Sequence, residues 1–158
     1  MPSEDKITDE MRSFIDLKTS PKSYTVEKHS VEHFATAIGD QNKLYFDEKY
    51  ATEKVGGLLA PPTFIRQFKP NKLDKQFPDP FSNLVDGGSS YIFHEKIFVG
   101  DEITVVSCLK DLFIKNGSFG EMMFKKSHTT YTNQNNVLVA EQEITTIIYG
   151  QGEKTFLS

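Results

Sequence analysis

Hydrophobic and polar positions change their period halfway along the chain. In the first half, apolar residues recur at helical spacing. Met11, Phe14, Ile15 and Leu17 mark a short stripe in "EMRSFIDLKTS", which ends at Ser20–Pro21. "SYTVEKH" alternates and predicts a strand. Ser30 then stands as an N-cap before "VEHFATAIG", where Val31, Phe34, Ala35 and Ile38 share one face and Gly39 follows as a C-cap. A shorter helix over "DEKYATEKV", capped by Asp47, stops at Gly56–Gly57. In "LLAPPTFIRQF" two prolines suit the first turn of a helix, where a missing N–H costs nothing. The apolar Phe64, Ile65 and Phe68 predict that this helix is buried. Residues 69–88 are rich in Pro, Asp and Gly, and read as a long loop packed locally through Phe77, Phe81, Leu84 and Val85.

The second half is β-branched, aromatic and often alternating. It predicts strands near residues 90–98, 102–114, 119–132 and 137–149, with turns at 99–102, 115–118 and 133–136. Serial strands with one buried helix give an α+β class, an antiparallel sheet curled around a buried central helix. No internal repeat or low-complexity segment interrupts it. The length of 158 residues fits a single domain over 1–158, with its core at about 24–150.

Composition narrows the function classes. Net charge is −4, and no basic run interleaves with aromatics, so no nucleic-acid partner is expected. Cys108 is the single cysteine and cannot form an internal disulfide, which fits a reducing, cytoplasmic setting. The start "MPSEDKITDE" is acidic rather than signal-like, and no apolar run has membrane-spanning length, so no membrane partner is expected. The four histidines share no metal spacing and Cys108 has no nearby ligand partner, so neither a metal nor a cofactor is expected.

The candidate chemistry sits behind Gly39. "AIGDQNKLYFDEKYA" gathers Asp40, Asn42, Tyr45 and Asp47 in a short space. Asp40 reads either as a site carboxylate or as a turn residue bonding its own backbone. Tyr45 reads as packing or chemistry, and Asp47 as the cap of the next helix. His94 is the one histidine on a strand that could face a cleft. His128 is similar, while His29 and His33 read as solvated. Lys69, Lys72 and Lys75 follow the buried helix, either as a solvated loop or as contacts for an acidic or phosphate-bearing carrier.

Four stretches in order, "FATAIGDQNKLYFDEKYA", "GGLLAPPTF", "HEKIFVGDEIT" and "TTYTNQNNVLVAEQEITTIIYG", resemble the MaoC-like hydratase/dehydratase family of the hotdog fold. The branch they resemble most is the FAS1-like dehydratase domain, the N-terminal half of MaoC. The resemblance runs from about Tyr24 to Gly150. It implies binding of acyl-CoA or acyl-ACP and pairing with a second hotdog, as a homodimer or heterodimer. It also implies a motif G-D-x-N-P-x-H, whose Asp and His handle a water at the substrate β-carbon while a backbone N–H at the buried helix polarises the thioester carbonyl.

Gly39, Asp40 and Asn42 match that motif. Lys43 replaces its Pro and Tyr45 its His. The exchange matters because imidazole titrates near about pH 6.5 and phenol near about 10, so Tyr45 is a donor and not a base at neutrality. At the helix entry a His–Gly pair is expected, and Pro61 and Pro62 stand there, removing two N–H donors. Thr63 N–H remains as the carbonyl donor. Gly57, Ala60, Pro61, Pro62, Thr63 and Phe64 are the expected substrate-binding positions; Asp40, Asn42 and Tyr45 form the degenerate catalytic set. The leading expectation is an acyl-binding subunit of an (R)-specific 3-hydroxyacyl thioester dehydratase or enoyl hydratase, with the Asp–His pair supplied by a partner hotdog. A self-sufficient hydratase using Asp40 with Tyr45 or His94, a non-enzymatic acyl-thioester binding module and a hotdog thioesterase are the alternatives.

Overall fold

Period-two patterning over long β-branched runs forces extended pairing. In the computed structural model, which describes residues 6–150, five strands form one antiparallel sheet. They are β1 (Lys22–Thr25), β2 (Asn83–Phe93), β3 (Glu102–Gly117), β4 (Gly120–Thr132) and β5 (Leu138–Tyr149), in the order β1-β3-β4-β5-β2. The long hairpin of β3 and β4 pairs from Thr104↔Thr132 to Gly117↔Gly120. Helices α1 (Asp9–Arg12), α2 (Lys28–Ala37), α3 (Lys43–Phe46) and α4 (Glu48–Val55), and a 3-10 helix at Pro62–Gln67, lie between β1 and β2 or before them.

The sheet buries its inner face against two apolar clusters. The larger joins Ile103 and Val105 of β3, Tyr131 of β4 and Ala140 of β5 to Val31 and Ala35 of α2 and to Phe64, Ile65 and Phe68. Its aromatics pack in specific pairs: Phe64 meets Phe34 edge-on at 5.6 Å, and Tyr24 stacks on Phe68 at 4.8 Å. The smaller cluster holds Met11, Leu112, Met123 and Ile148, with Phe77 and Phe81 packed against it. Beside the larger cluster lies a buried polar knot. Gln142 accepts from the Tyr131 hydroxyl at 2.8 Å and donates to the Tyr91 hydroxyl at 2.7 Å and to Ser89 Oγ at 3.3 Å. The amide of the buried Gln142 is thereby fully used, which is the condition for burying a polar group in a core.

The segment 68–82 crosses the inner face as a strap. The Tyr24 hydroxyl donates to Lys69 C=O at 2.6 Å, and Asn71 Nδ2 donates to Ser20 Oγ at 3.0 Å. Lys125 pairs with Asp79 at 2.8 Å while lying over the Phe77 ring. Lys75, expected in a solvated loop, pairs with Glu10 at 3.1 Å. No helix of the described residues is long and apolar enough to cross a membrane.

Several expectations shift. The first helix is a single turn, after which the chain runs beside β3 through isolated bridges of Ile15 with Leu109 and Lys18 with Cys108. The N-cap of α2 is Glu27, not Ser30, and Ser30 lies inside the helix. The reason is that three polar residues, Lys28–Ser30, continue the helix on its exposed side ahead of Val31. The buried helix "PTFIRQ" is 3-10 rather than α, with Pro62, Thr63, Arg66 and Gln67 exposed on either side of buried Phe64 and Ile65. β2 starts at Asn83, inside the segment read as loop, because a bulge at Asp86–Ser89 carries Gly87 and Gly88 within the strand. It also ends at Phe93, so residues 94–98 are not strand beyond one bridge at Phe98. Gly39, at φ +73, does stand just past α2, where the left-handed conformation favours glycine.

Burial on only one side of the 3-10 turn yields a contrast. Ile65→Ala should cost about 2–5 kcal/mol, the range for emptying a core site, whereas Thr63→Ala should stay within about 0.5 kcal/mol. Urea unfolding of the two variants measures both.

Candidate functional site

The turn after α2 places the residues singled out by the sequence. Asp40 Oδ1 accepts from Asn42 N–H at 3.1 Å, and Asn42 Oδ1 accepts from Leu44 N–H at 3.0 Å. Each therefore serves local backbone: Asp40 closes an Asx-type turn, and Asn42 caps α3, a helix the sequence reading did not foresee. Asp47 caps α4 as expected, accepting from Tyr50 N–H at 3.0 Å. These bonds use one oxygen of the half-buried Asp40 and leave its charge close to Tyr45. Tyr45 is buried, with 8% of its surface exposed. Its phenol is pushed above its ordinary range, first by burial and then by the negative charge of Asp40.

Tyr45 lies in the wall of an open cavity of about 950 Å³. Ala60 and Pro62 from the entry of the 3-10 helix line the same space, as do Phe93 and His94 at the end of β2. Opposite them stands the β4–β5 turn with Asn133, Gln134 and Val137. Asp101 holds this wall together. One of its oxygens accepts from Phe98 N–H at 2.8 Å and the other from Gln134 Nε2 at 2.9 Å, while Gln134 Oε1 accepts from Glu102 N–H at 3.1 Å. Apolar Leu59, Ile97 and Val137 share the lining with His94, Asp101 and Gln134, a mixture that suits a small-molecule site.

The structure thus brings Tyr45, Ala60 and Pro62 to one cavity. Asp40, Asn42, Gly57, Pro61, Thr63 and Phe64 are not among the residues lining it. Pro61 is buried and Phe64 belongs to the core, 1% exposed. The first bond of the 3-10 turn runs from Phe64 N–H to Pro61 C=O at 2.9 Å, so Thr63 N–H lies ahead of it on an exposed residue. Six residues of 3-10 helix align few peptide dipoles, so the macrodipole support expected for that amide is small.

A cluster that sequence reasoning only half found lies where β2 leaves the sheet. His94 Nε2 sits 2.7 Å from Glu141 Oε2, and His128 Nε2 sits 2.9 Å from Glu141 Oε1. Both histidines were singled out; Glu141 was not, because nothing in the sequence pairs β5 with the end of β2. The two imidazole hydrogen bonds hold the Glu141 carboxyl below its usual range, that of His94 most. His29 and His33 are exposed, as expected. Among the described residues no group of three or more His, Cys, Asp or Glu is arranged to hold a metal ion.

The link between Asp40 and Tyr45 has a measurable sign. A nearby anion opposes phenolate formation, so Asp40→Asn should lower the titration midpoint of Tyr45. Ultraviolet difference titration, with Tyr45→Phe identifying the contribution of this residue among the six tyrosines, reads the change. An amide oxygen still accepts from Asn42 N–H, so stability should move by less than about 0.5 kcal/mol.

With this geometry in hand, comparisons with known proteins place the chain. The profile of the FAS1-like, dehydratase domain region matches residues 13–142. A UPF0336 protein of Parafrankia sp. (strain EAN1pec) is 32% identical over 131 residues, which cover 78% of this chain and 83% of that protein. A UPF0336 protein of Thermobifida fusca (strain YX) is 29% identical over 126 residues, 76% of this chain and 82% of that one. Among solved structures, one from the ChsH1–ChsH2 complex of Mycobacterium tuberculosis superposes with a TM-score of 0.79 at 18% identity, covering 97% of this chain and 96% of that chain. The (R)-hydratase of A. caviae involved in PHA biosynthesis gives 0.65 at 20% identity, covering 84% and 94%. The HadBC (3R)-hydroxyacyl-ACP dehydratase complex of M. tuberculosis gives 0.65 at 19%, covering 85% and 96%. At these identities the superpositions show the fold, and it is the hotdog fold. The profile match over most of the chain shows the family: this protein belongs to the FAS1-like dehydratase domain family of MaoC-like hotdog proteins.

Proposed function

We propose that this chain is the acyl-thioester-binding subunit of an (R)-specific 3-hydroxyacyl thioester dehydratase or enoyl hydratase, with the motif Asp–His pair brought by a partner hotdog. The carrying observation is Tyr45. It stands where the family motif has imidazole, in the wall of the cavity, with its phenol held protonated by burial and by Asp40. Such a residue donates a hydrogen bond but takes no proton near neutrality, whereas adding water to an enoyl thioester requires a group that does both. The cavity and the fold suit an acyl thioester, and the motif as this chain carries it lacks the base.

The exposed strand β2 supports the partner. It hydrogen-bonds β5 along one edge and leaves the other edge open. Leu84, Val85, Ile92 and Phe93 along it are 66%, 45%, 58% and 42% exposed. A long apolar edge in this state is a template for a further strand, and a second hotdog sheet would cover it. Two of the similar structures are complexes by their titles. The expected interface buries on the order of 1,000 Å² or more. Light scattering at micromolar concentration should therefore give a mass above the 18.0 kDa of one chain.

The decisive assay is hydration of crotonyl-CoA by the chain alone and by the complex co-purified from its native host. The complex should be at least about 10²-fold faster, the lower end of a general acid–base contribution. Tyr45→His with Pro61→His and Pro62→Gly should raise the rate of the isolated chain more than Tyr45→His alone. Rapid turnover by the isolated wild type that collapses in Asp40→Asn would overturn the subunit reading in favour of a self-sufficient hydratase. Release of free thiol would point to a thioesterase.

A further inference from the structure

The motif imidazole is absent, yet the cavity does not lack an imidazole. His94 lines it together with Tyr45, Ala60 and Pro62. We propose that His94, oriented by Glu141, is the proton-transfer group that this chain itself contributes to the cavity. This rests on the reading of the cavity as an acyl-thioester site and adds a residue to it; a partner's Asp–His pair is compatible with it.

The geometry of the side chain carries the argument. His94 is anchored at its backbone, where its N–H and that of Glu95 both donate to Val139 C=O, at 2.9 and 3.2 Å. Its ring is fixed by the 2.7 Å contact of Nε2 with Glu141 Oε2. A carboxylate at one ring nitrogen selects the tautomer with hydrogen on that nitrogen and leaves the other, Nδ1, with a free lone pair. It orients the ring as the third group of a catalytic triad orients its base. Glu141 is itself held from the far side by His128, so its orientation does not depend on His94 alone. The surrounding charges are few: Glu143 faces His128 in the sheet register and pairs with Lys126 at 3.4 Å, and Glu95 and Lys96 follow His94 along the cavity wall. A half-exposed position, with 37% of the side chain accessible, lets the ring meet a ligand.

The chemistry balances with this single group. In the dehydration direction, Nδ1 takes the proton from the carbon next to the thioester carbonyl. The C–H electron pair becomes the new double bond as the C–O bond on the next carbon breaks. The imidazolium then returns its proton to the departing hydroxyl, which leaves as water, and the ring ends neutral. Glu141 is a positioning residue in this scheme, since it acts only through His94.

Two readouts test the proposal on the full chain. The first is the side-chain ¹⁵N spectrum of the four histidines during titration with crotonyl-CoA, with each imidazole assigned by substitution to Gln. The His94 nitrogens should move on binding, while those of His29 and His33 stay in place. The second is the residual hydration rate of the isolated chain, in which no partner pair contributes. His94→Gln should slow it about 10²-fold, without changing the calorimetric affinity more than about twofold. Glu141→Gln should slow it less than His94→Gln does and should move the His94 ¹⁵N resonances of the free protein, because the ring loses the carboxylate that fixes its tautomer. His29→Gln should leave the rate unchanged. No binding of crotonyl-CoA by calorimetry overturns both the acyl-thioester reading and this inference. Binding with unmoved His94 resonances overturns the inference alone, as does a hydration rate indifferent to His94→Gln.

Discussion

The inner face of the curved sheet must be covered, and nearly everything else follows from how this chain covers it. A strongly apolar concave surface built from Ile103, Val105, Tyr131 and Ala140 cannot face water without losing the burial that drives folding. The cover here is a short 3-10 turn, helix α2 and a strap, each contributing a few large side chains. Phe64, Ile65 and Phe68 come from one short stretch, and Phe77 and Phe81 from the strap. Such a discontinuous cover leaves the inner face unfilled at one end, where the entry of the 3-10 turn meets the end of β2. That end is the cavity.

The polar knot of Gln142, Tyr91, Tyr131 and Ser89 ties β2, β4 and β5 together beside the larger cluster. Burial raises the titration of both tyrosines, so the hydroxyls stay protonated and the network stays intact across ordinary pH. These bonds tie the register of β2 against β5 through Ser89 and Tyr91, close to the bulge at Asp86–Ser89. They thereby set where β2 ends. Phe93 stacks on Tyr91 at 5.7 Å with parallel rings, and the next residue is His94. The position of the histidine at the cavity is thus a downstream consequence of core packing.

The contrast between Tyr45 and His94 is one of supporting groups. Tyr45 has a buried ring and a neighbouring carboxylate that opposes its ionisation, so its environment stabilises the neutral phenol. His94 has an exposed edge and a carboxylate in hydrogen-bonding contact, so its ring is held in one orientation. The same kind of neighbour, an acidic side chain, opposes ionisation at Tyr45 and fixes a ring at His94.

By itself the sequence determined strands β3, β4 and β5, the fold class, the turn after α2 and the loss of the motif histidine. Those rest on local signals: period-two alternation along β3, β4 and β5, Gly39 beyond a helical stripe, and the identity of the residue at position 45. It also foresaw that Phe64, Ile65 and Phe68 are buried, since three large apolar residues so close together have few other fates. Local signals failed where partners from distant segments decide. Whether "PTFIRQ" forms an α or a 3-10 helix depends on the space between α2 and the sheet, and the start of β2 on pairing with β5 across a glycine bulge. The sharing of Glu141 by His94 and His128 arises because the end of β2 meets the β4–β5 hairpin, 47 residues further along at Glu141, at one corner of the sheet. Tertiary structure alone makes that meeting, because the spacing that matters there runs between strands and is absent along the chain.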